Sequence, residues 1–334
     1  MEPSTTRPCE RTDHADTMRM RVVETIAVSP STKVLRLRAV GGGILPRYEA
    51  GSHIEVLVTL TDGERAWNAY SLIGNPGDRS QYEIAVKLED GGRGGSRYLH
   101  EAVSTGMELE VRRPRNGFSL DISANSHLLI AGGIGITPIY SLSCQLSRLK
   151  IRHRVIYCVR DLEDAPLLDL LAKSAFAAVE CHADGGLVQG YYDFDTLLRN
   201  PVERQRIYVC GPQSFIRSIS RLCERYKWHH RVVKSESFGG VRDAPHTTLT
   251  VHLAKHGKTI TVQQPETILG SLLRHGLNPT YGCKRGECGI CAVSVTKGVP
   301  FHRDMFLSDE EKKSEKYMCT CVSWGASAEL TLDI

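Results

Sequence analysis

Long apolar runs are missing from this chain: none approaches the roughly 20 residues a helix needs to cross a bilayer, so no membrane span is expected. The opening stretch MEPSTTRPCERTDHADTMRM is polar, mixed in charge and without an apolar core. That excludes a secretory signal and predicts a disordered tail over residues 1–18. A surplus of one charge is missing too. The 42 Lys and Arg face 38 Asp and Glu, net +4, and no basic cluster stands out, so a nucleic-acid partner is not expected. There is no internal repeat and no low-complexity tract. Cysteine, by contrast, is plentiful. There are 11, an odd number, and Cys144, Cys158, Cys181 and Cys223 are scattered singly through apolar or mixed segments, as buried free thiols are. A disulfide scaffold is not expected, and a reducing, cytoplasmic compartment fits.

A length of 334 residues predicts two or three domains. Over residues 19–122, short alternating segments such as HIEVLVTL and YEIAVKL are separated by turn signals, the pattern of an antiparallel β-barrel. From 123 to 238 the pattern changes to continuous apolar runs, HLLIAG, RVIYCVR and RIYVCG. Helical periodicity follows in PIYSLSCQLSRLK and PLLDLLAKSAF, so an open parallel α/β sheet is expected. A Gly/Pro-containing linker at 239–247 leads to a third domain, 248–334, with strands TTLTVHLAK and KTITVQQ, a short helix TILGSLLRHG, and AELTLDI as the last strand.

The segment YGCKRGECGICAVSV places Cys283, Cys288 and Cys291 at C-x4-C-x2-C. Zinc sites use paired C-x2-C units or matching histidines, whereas this spacing with a distant fourth Cys is that of a plant-type [2Fe–2S] cluster. Gly282, Gly286 and Gly289 permit the close approach and turned N–H groups that a loop around a cluster needs. The fourth ligand lies downstream in YMCTCVSWG, where Cys319 and Cys321 both qualify.

Two glycine constellations point to phosphate. Gly91 to Gly95, then Ser96 and a helical RYLH, offer backbone amides and a helix start, just after Tyr70 and Ser71 in WNAYSLIGNP. In LLIAGGIGITPIY, Gly132, Gly133 and Gly135 lie between a strand and a helix that opens with Thr137 and Pro138. YVCGP puts Cys210, Gly211 and Pro212 on the same carboxyl edge, where open α/β sheets bind ligands. At the end of the second buried strand, in YCVRDLED, Asp161 favours a free ribose 2′-hydroxyl and hence NADH, while Arg160 would favour a 2′-phosphate. Either also reads as surface charge.

In this order the motifs resemble the phthalate dioxygenase reductase family, which also takes in vanillate demethylase and carnitine monooxygenase reductases. The resemblance runs from about Met20 to Ile334. It implies a flavin β-barrel, an NAD-binding α/β domain and a C-terminal β-grasp ferredoxin, with FMN, NADH and one [2Fe–2S] cluster. It further implies that Tyr70 and Ser71 flank the isoalloxazine, Ser71 near N5, with Ala85, Val86 and Lys87 alongside. Gly94, Gly95 and Ser96 would hold the phosphate. Thr137 and Cys210 would border the nicotinamide contact, and Phe238 would cover the ring. The Cys-Val-Ser step makes Cys321 the fourth ligand.

One position departs from the family: Asn68 stands where Arg is usual in R-x-Y-S, so Arg65, Lys87, Arg93 or Arg97 must supply the charge. The implied role is an NADH-dependent reductase that feeds a terminal Rieske oxygenase acting on a small organic compound, a monomer that docks transiently. His53, His229 and His302 are expected to be structural or solvent-facing. The alternatives are an electron-transfer subunit of a stable complex and a zinc-structured thiol sensor. Visible absorbance separates the last from the rest.

Overall fold

A computed structural model describes residues 17–89, 92–185, 191–229, 232–237, 248–264, 266–282, 284, 286, 289–304 and 306–334. Two compact units separate: the chain to Gly211 with Ile219–Lys234, and Pro212–Ser218 with Ser235–Ile334. The first begins with strands β1 (Thr17–Ser29), β2 (Thr32–Ala39), β3 (Ser52–Thr59), β4 (Arg65–Ser71) and β5 (Tyr82–Lys87). Helix α1 (Gly95–Arg97), a π-helical turn (Tyr98–Ala102), β6 (Glu108–Arg112) and β7 (Arg115–Asn116) follow. Alternation decides the faces: in β3 Ser52, Ile54, Val56 and Val58 are buried and their neighbours are not. The antiparallel order is β4-β3-β6-β1-β2-β5, with β7 on β3. A bridge from Leu72 to Ile84 joins the two outer strands and closes the sheet into a barrel. Met20, Val22, Leu35, Leu37, Ile54, Tyr82 and Ile84 fill it.

The same unit continues as an α/β layer. Its elements are β8 (Ser126–Gly132), α2 (Ile136–Arg148), β9 (His153–Val159), α3 (Leu168–Ala172), β10 (Ala177–Ala183), α4 (Phe194–Leu198) and β11 (Gln205–Gly211). Two elements whose residues fall in both units follow, α5 (Gln213–Arg225) and β12 (Val233–Ser237). The sheet order is β10-β9-β8-β11-β12. β8 pairs parallel with both β9 and β11, and β9 with β10. Every residue of β8 after Ser126 is buried, as an apolar run in a covered parallel sheet must be. α3 is shorter than the PLLDLLAKSAF periodicity predicted, because Leu167 enters it with φ of 64° and the chain must turn back into β10.

The second unit carries β13 (Thr248–Leu253), β14 (Lys258–Gln263), α6 (Ile268–Arg274), β15 (Ala292–Lys297) and β16 (Pro300–Phe301). It ends with α7 (Asp309–Lys313), β17 (Tyr317–Cys319), β18 (Trp324–Gly325) and β19 (Glu329–Leu332). The order β14-β13-β19-β15-β17 puts the last strand in the middle of the sheet. β19 runs parallel to β13 and antiparallel to β15. Leu249, Val251, Ile268, Leu272, Trp324, Leu330 and Leu332 form the core, each large side chain contributing about 1.5–3 kcal/mol. Thr267 caps α6 through the Gly270 N–H (3.0 Å). Ser308 and Glu311 close a capping box at α7. Among the described residues no helix is long and apolar enough to cross a membrane. The expected linker, 239–247, lies outside the described residues.

Candidate functional site

The thiols come first. β15 begins immediately after Cys291 and pairs Ala292 with Cys319 at the end of β17. The Thr320 N–H and hydroxyl both donate to the Cys291 carbonyl (3.2 and 3.1 Å). This pairing packs Cys291, Cys319 and Cys321, all buried, into one cluster with Leu269 and Leu307. Hydrogen bonds from Cys319 and Cys321 draw the Cys291 thiol down, while the hydrogen bond to Cys291 and burial push Cys319 up. Gly286, with φ of 76°, lies under this cluster. A Cβ there would meet Val322 Cγ2 at 2.6 Å and Asp304 Cα at 3.0 Å, so the loop lies close against both segments. Cys283 and Cys288 lie outside the described residues. The donor set and the tight loop fit an iron–sulfur cluster.

Asp304 was not singled out by the sequence. It is fully buried and accepts from the Leu307 N–H (2.9 Å) and the Ser323 hydroxyl (3.1 Å), with Lys312 Nζ at 3.8 Å. Burial pushes its carboxyl up, but His302, the Leu307 N–H and Lys312 outweigh this and hold it below the usual range. It braces the segment that Gly286 leans on. The only sequence signal was an acid inside the mixed apolar and basic segment FHRDMFL.

On the barrel, β4 carries Asn68, Tyr70 and Ser71, set opposite Val56, Ile54 and His53 of β3. Ser71 is buried and its Oγ has no hydrogen-bond partner among the described residues. A buried hydroxyl left so costs about 1–3 kcal/mol, and a flavin edge would satisfy it. Burial pushes the Tyr70 phenol up to about 12, against a hydrogen bond from Asn68. A Cβ on Gly95 would fall 2.2 Å from Asn68 Nδ2, so the amide sits directly against the start of α1. The Ser96 hydroxyl accepts from the Glu89 N–H (3.1 Å). Three of the four candidate cations are near acids: Arg65 with Glu110 (2.8 Å), Lys87 with Asp164 (3.3 Å) and Arg93 with Glu64 (4.0 Å). Arg97 has no acidic partner among the described residues. Ala85 and Val86 are buried in β5, and His100 Nε2 donates to the Val86 carbonyl (2.8 Å).

At the carboxyl edge of the parallel sheet, Gly133–Gly135 form a 3-10 turn between β8 and α2. A Cβ on Gly135 would lie 2.3 Å from the Cys210 carbonyl and 2.6 Å from Gly211 N. The GGIG turn and the CGP strand end are therefore in contact. Thr137 is buried and donates to the Ile134 carbonyl (3.1 Å), and Pro138 occupies the first turn of α2, where its missing N–H costs nothing. Pro212 is exposed. Asp161 lies two residues past the end of β9 and caps the 3-10 turn Leu162–Asp164, accepting from the Glu163 N–H (3.0 Å). Phe238 lies outside the described residues.

Three family matches cover the chain in sequence. Residues 19–119 match the oxidoreductase FAD-binding domain. Residues 107–233 match the N-terminal domain of dimethylamine monooxygenase subunit DmmA-like proteins, and 251–324 the 2Fe-2S iron-sulfur cluster binding domain. The carnitine monooxygenase reductase subunit of Escherichia coli (strain K12) is 34% identical over 317 residues, covering 93% of this chain and 98% of its own. Phthalate dioxygenase reductase of Burkholderia cepacia is 35% identical over 297 residues, covering 88% and 90%. A solved structure of phthalate dioxygenase reductase, described as modular for electron transfer from pyridine nucleotides to [2Fe-2S], superposes with a TM-score of 0.74 at 32% identity. It covers 96% of this chain and 99% of that one.

Fold and site together define an oxidoreductase built of a flavin-binding barrel, a parallel-sheet dinucleotide domain and a [2Fe–2S] domain. The parallel sheet, the antiparallel barrel and the terminal ferredoxin are as the sequence predicted. The chain belongs to the phthalate dioxygenase reductase family.

Proposed function

We propose that this chain is the NADH-dependent reductase component of a Rieske-type oxygenase, with FMN in the barrel. Its relatives are named as reductases of carnitine monooxygenase and phthalate dioxygenase systems, so a small organic acid or quaternary amine is the partner's class of substrate. When bound, the flavin exchanges electron pairs with NADH and single electrons with the cluster. The chain's own residues position these groups. Ser71 directs its buried hydroxyl at the flavin edge, and Tyr70 stands beside it, held by Asn68. Asn68, Gly94, Gly95 and Ser96 receive the phosphate, with Arg97 as the cation that replaces the family's Arg. Gly132, Gly133 and Gly135 receive the pyrophosphate against Cys210 and Gly211, Thr137 and Cys210 border the nicotinamide, and Asp161 reads the ribose. Cys283, Cys288, Cys291 and Cys321 hold the cluster. The divisions 19–122, 123–238 and 248–334, a cytoplasmic monomer and transient docking to the oxygenase belong to the same reading.

The observation that carries it is the meeting of buried Cys291 with Cys319 and Cys321 behind Gly286, on a chain that also bears a flavin-binding barrel. The purified protein is expected to show flavin and cluster absorbance, release FMN on denaturation, and reduce cytochrome c with NADH. Material loaded with both cofactors yet inert toward NADH would sink the proposal. Size-exclusion chromatography of the chain alone tests the monomer.

A further inference from the structure

The segment between β9 and α3 does more than present Asp161. Asp164, at the end of the same 3-10 turn, is met by four donor groups of the barrel. The Ser29 hydroxyl donates to Oδ1 at 2.5 Å, and the Ser31 hydroxyl lies 2.7 Å from both oxygens. The Ser31 N–H reaches Oδ1 at 3.3 Å, and Lys87 Nζ stands 3.3 Å from Oδ2. Ser29 and Ser31 belong to the tight β1–β2 hairpin and Lys87 ends β5. The turn itself is short and closed. The Asp164 N–H donates to the Asp161 carbonyl (3.2 Å) and the Glu163 N–H to the Asp161 carboxylate (3.0 Å). Holding Asp164 therefore fixes Asp161, three residues earlier, through the backbone of a single turn.

Such an arrangement exceeds what a surface ion pair provides. A carboxylate bound by two hydroxyls, an N–H and an ammonium is oriented as well as attracted, and hydrogen bonds to a charged group are the stronger kind. Burial raises the Asp164 carboxyl, yet Ser29, Ser31 and Lys87 outweigh it and keep it below the usual range, so it is ionised at neutral pH. The serines and the lysine all come from the flavin barrel, and the acid from the dinucleotide layer.

We propose that Asp164 is a positioning residue for dinucleotide recognition: clasped by Ser29, Ser31 and Lys87, it sets the Asp161 turn so that discrimination between NADH and NADPH depends on a contact made by the flavin barrel. This rests on the reading that Asp161 receives the ribose. A loosened turn lets the Asp161 carboxylate retreat, which weakens its hold on a 2′-hydroxyl and its repulsion of a 2′-phosphate together. A contact that only stapled the two layers would change stability and affect both nucleotides alike.

The test compares the holoprotein with Asp164→Asn, Ser31→Ala and Asp161→Asn, measuring KM and kcat for NADH and for NADPH with an artificial electron acceptor, and flavin per chain. Asp164→Asn is expected to raise KM for NADH about tenfold, the effect of one lost charge-assisted hydrogen bond. Turnover at saturating NADH and flavin content hold, and the NADH-over-NADPH ratio narrows. Ser31→Ala, which keeps the carboxylate and is the variant to rely on if Asp164→Asn does not fold, moves the ratio the same way by a smaller factor. If Asp161→Asn narrows the ratio while neither clasp variant does, the inference is overturned and the ribose reading stands. If Asp161→Asn leaves the ratio unchanged, both are overturned.

Discussion

Two thiols stand beside Cys291, and a four-cysteine cluster with Cys283 and Cys288 needs one of them. Cys319 belongs to β17, paired with Ala292, while Cys321 follows the strand's end. Cys321→Ser is expected to remove iron and the cluster's visible bands while NADH still bleaches the flavin; Cys319→Ser is expected to keep its iron. Iron analysis and electron paramagnetic resonance of the dithionite-reduced protein check this, and the opposite pattern would reassign the ligand. Ser71→Ala makes a second case. Removing a buried hydroxyl that has no partner among the described residues is expected to leave stability within about 0.5 kcal/mol, yet to slow flavin reduction by NADH about tenfold in rapid mixing, the worth of one hydrogen bond. The spacing of Cys283, Cys288 and Cys291 was legible because it is local. Which of Cys319 and Cys321 is the ligand was not, since they are two residues apart and sequence does not orient them. Nor were Asp164 and Asp304, whose roles depend in part on distant partners, Ser31 133 residues away and Ser323 19 residues away.

At the scale of elements, continuous apolar runs gave away β8, β9 and β11, because a strand covered on both faces carries apolar residues at nearly every position. β10 escaped that signal. It sits at the sheet's edge with alternating exposure, so its sequence, AAVECHA, has no apolar run. The final AELTLDI strand was visible, but its central place in the sheet was not, since insertion between β13 and β15 is a matter of long-range pairing. The turn after β8 is the element on which the dinucleotide site depends most. Gly135→Ala must push Cβ into the backbone of Cys210, which cannot rotate away as a side chain would. It is expected to cost about 1–3 kcal/mol in urea unfolding and to weaken NADH binding sharply, while iron content stays at wild-type level. Unchanged NADH affinity would mean that the turn is not where the pyrophosphate lies.

For the molecule as a whole, acid is the condition to which its ion-paired carboxylates make it most sensitive. Asp121 joins the barrel segment to the sheet. Its carboxylate accepts from the Ser123 hydroxyl (2.6 Å) and N–H (3.0 Å) and from Arg206 Nε (2.7 Å). Its own N–H donates to the Tyr208 hydroxyl, and its carbonyl accepts from His127 Nε2. The Ser123 hydroxyl first, then Arg206, lower it from 3.8 to about 2 in the folded chain. A depressed carboxyl stabilises fully above its unfolded value, and the gain disappears as pH falls through the folded one. The folded chain is therefore expected to lose about 1 kcal/mol through this group, after allowance for solvent screening, between about pH 4 and 2. Asp164 and Asp304, also held below the usual range, add to the same decline. Urea unfolding of wild type and Asp121→Asn across that window isolates the Asp121 share: their difference in stability should narrow as pH falls. A difference constant from pH 6 to 2 would show that the Arg206 and Ser123 contacts do not discriminate the charged form of Asp121 from the neutral one.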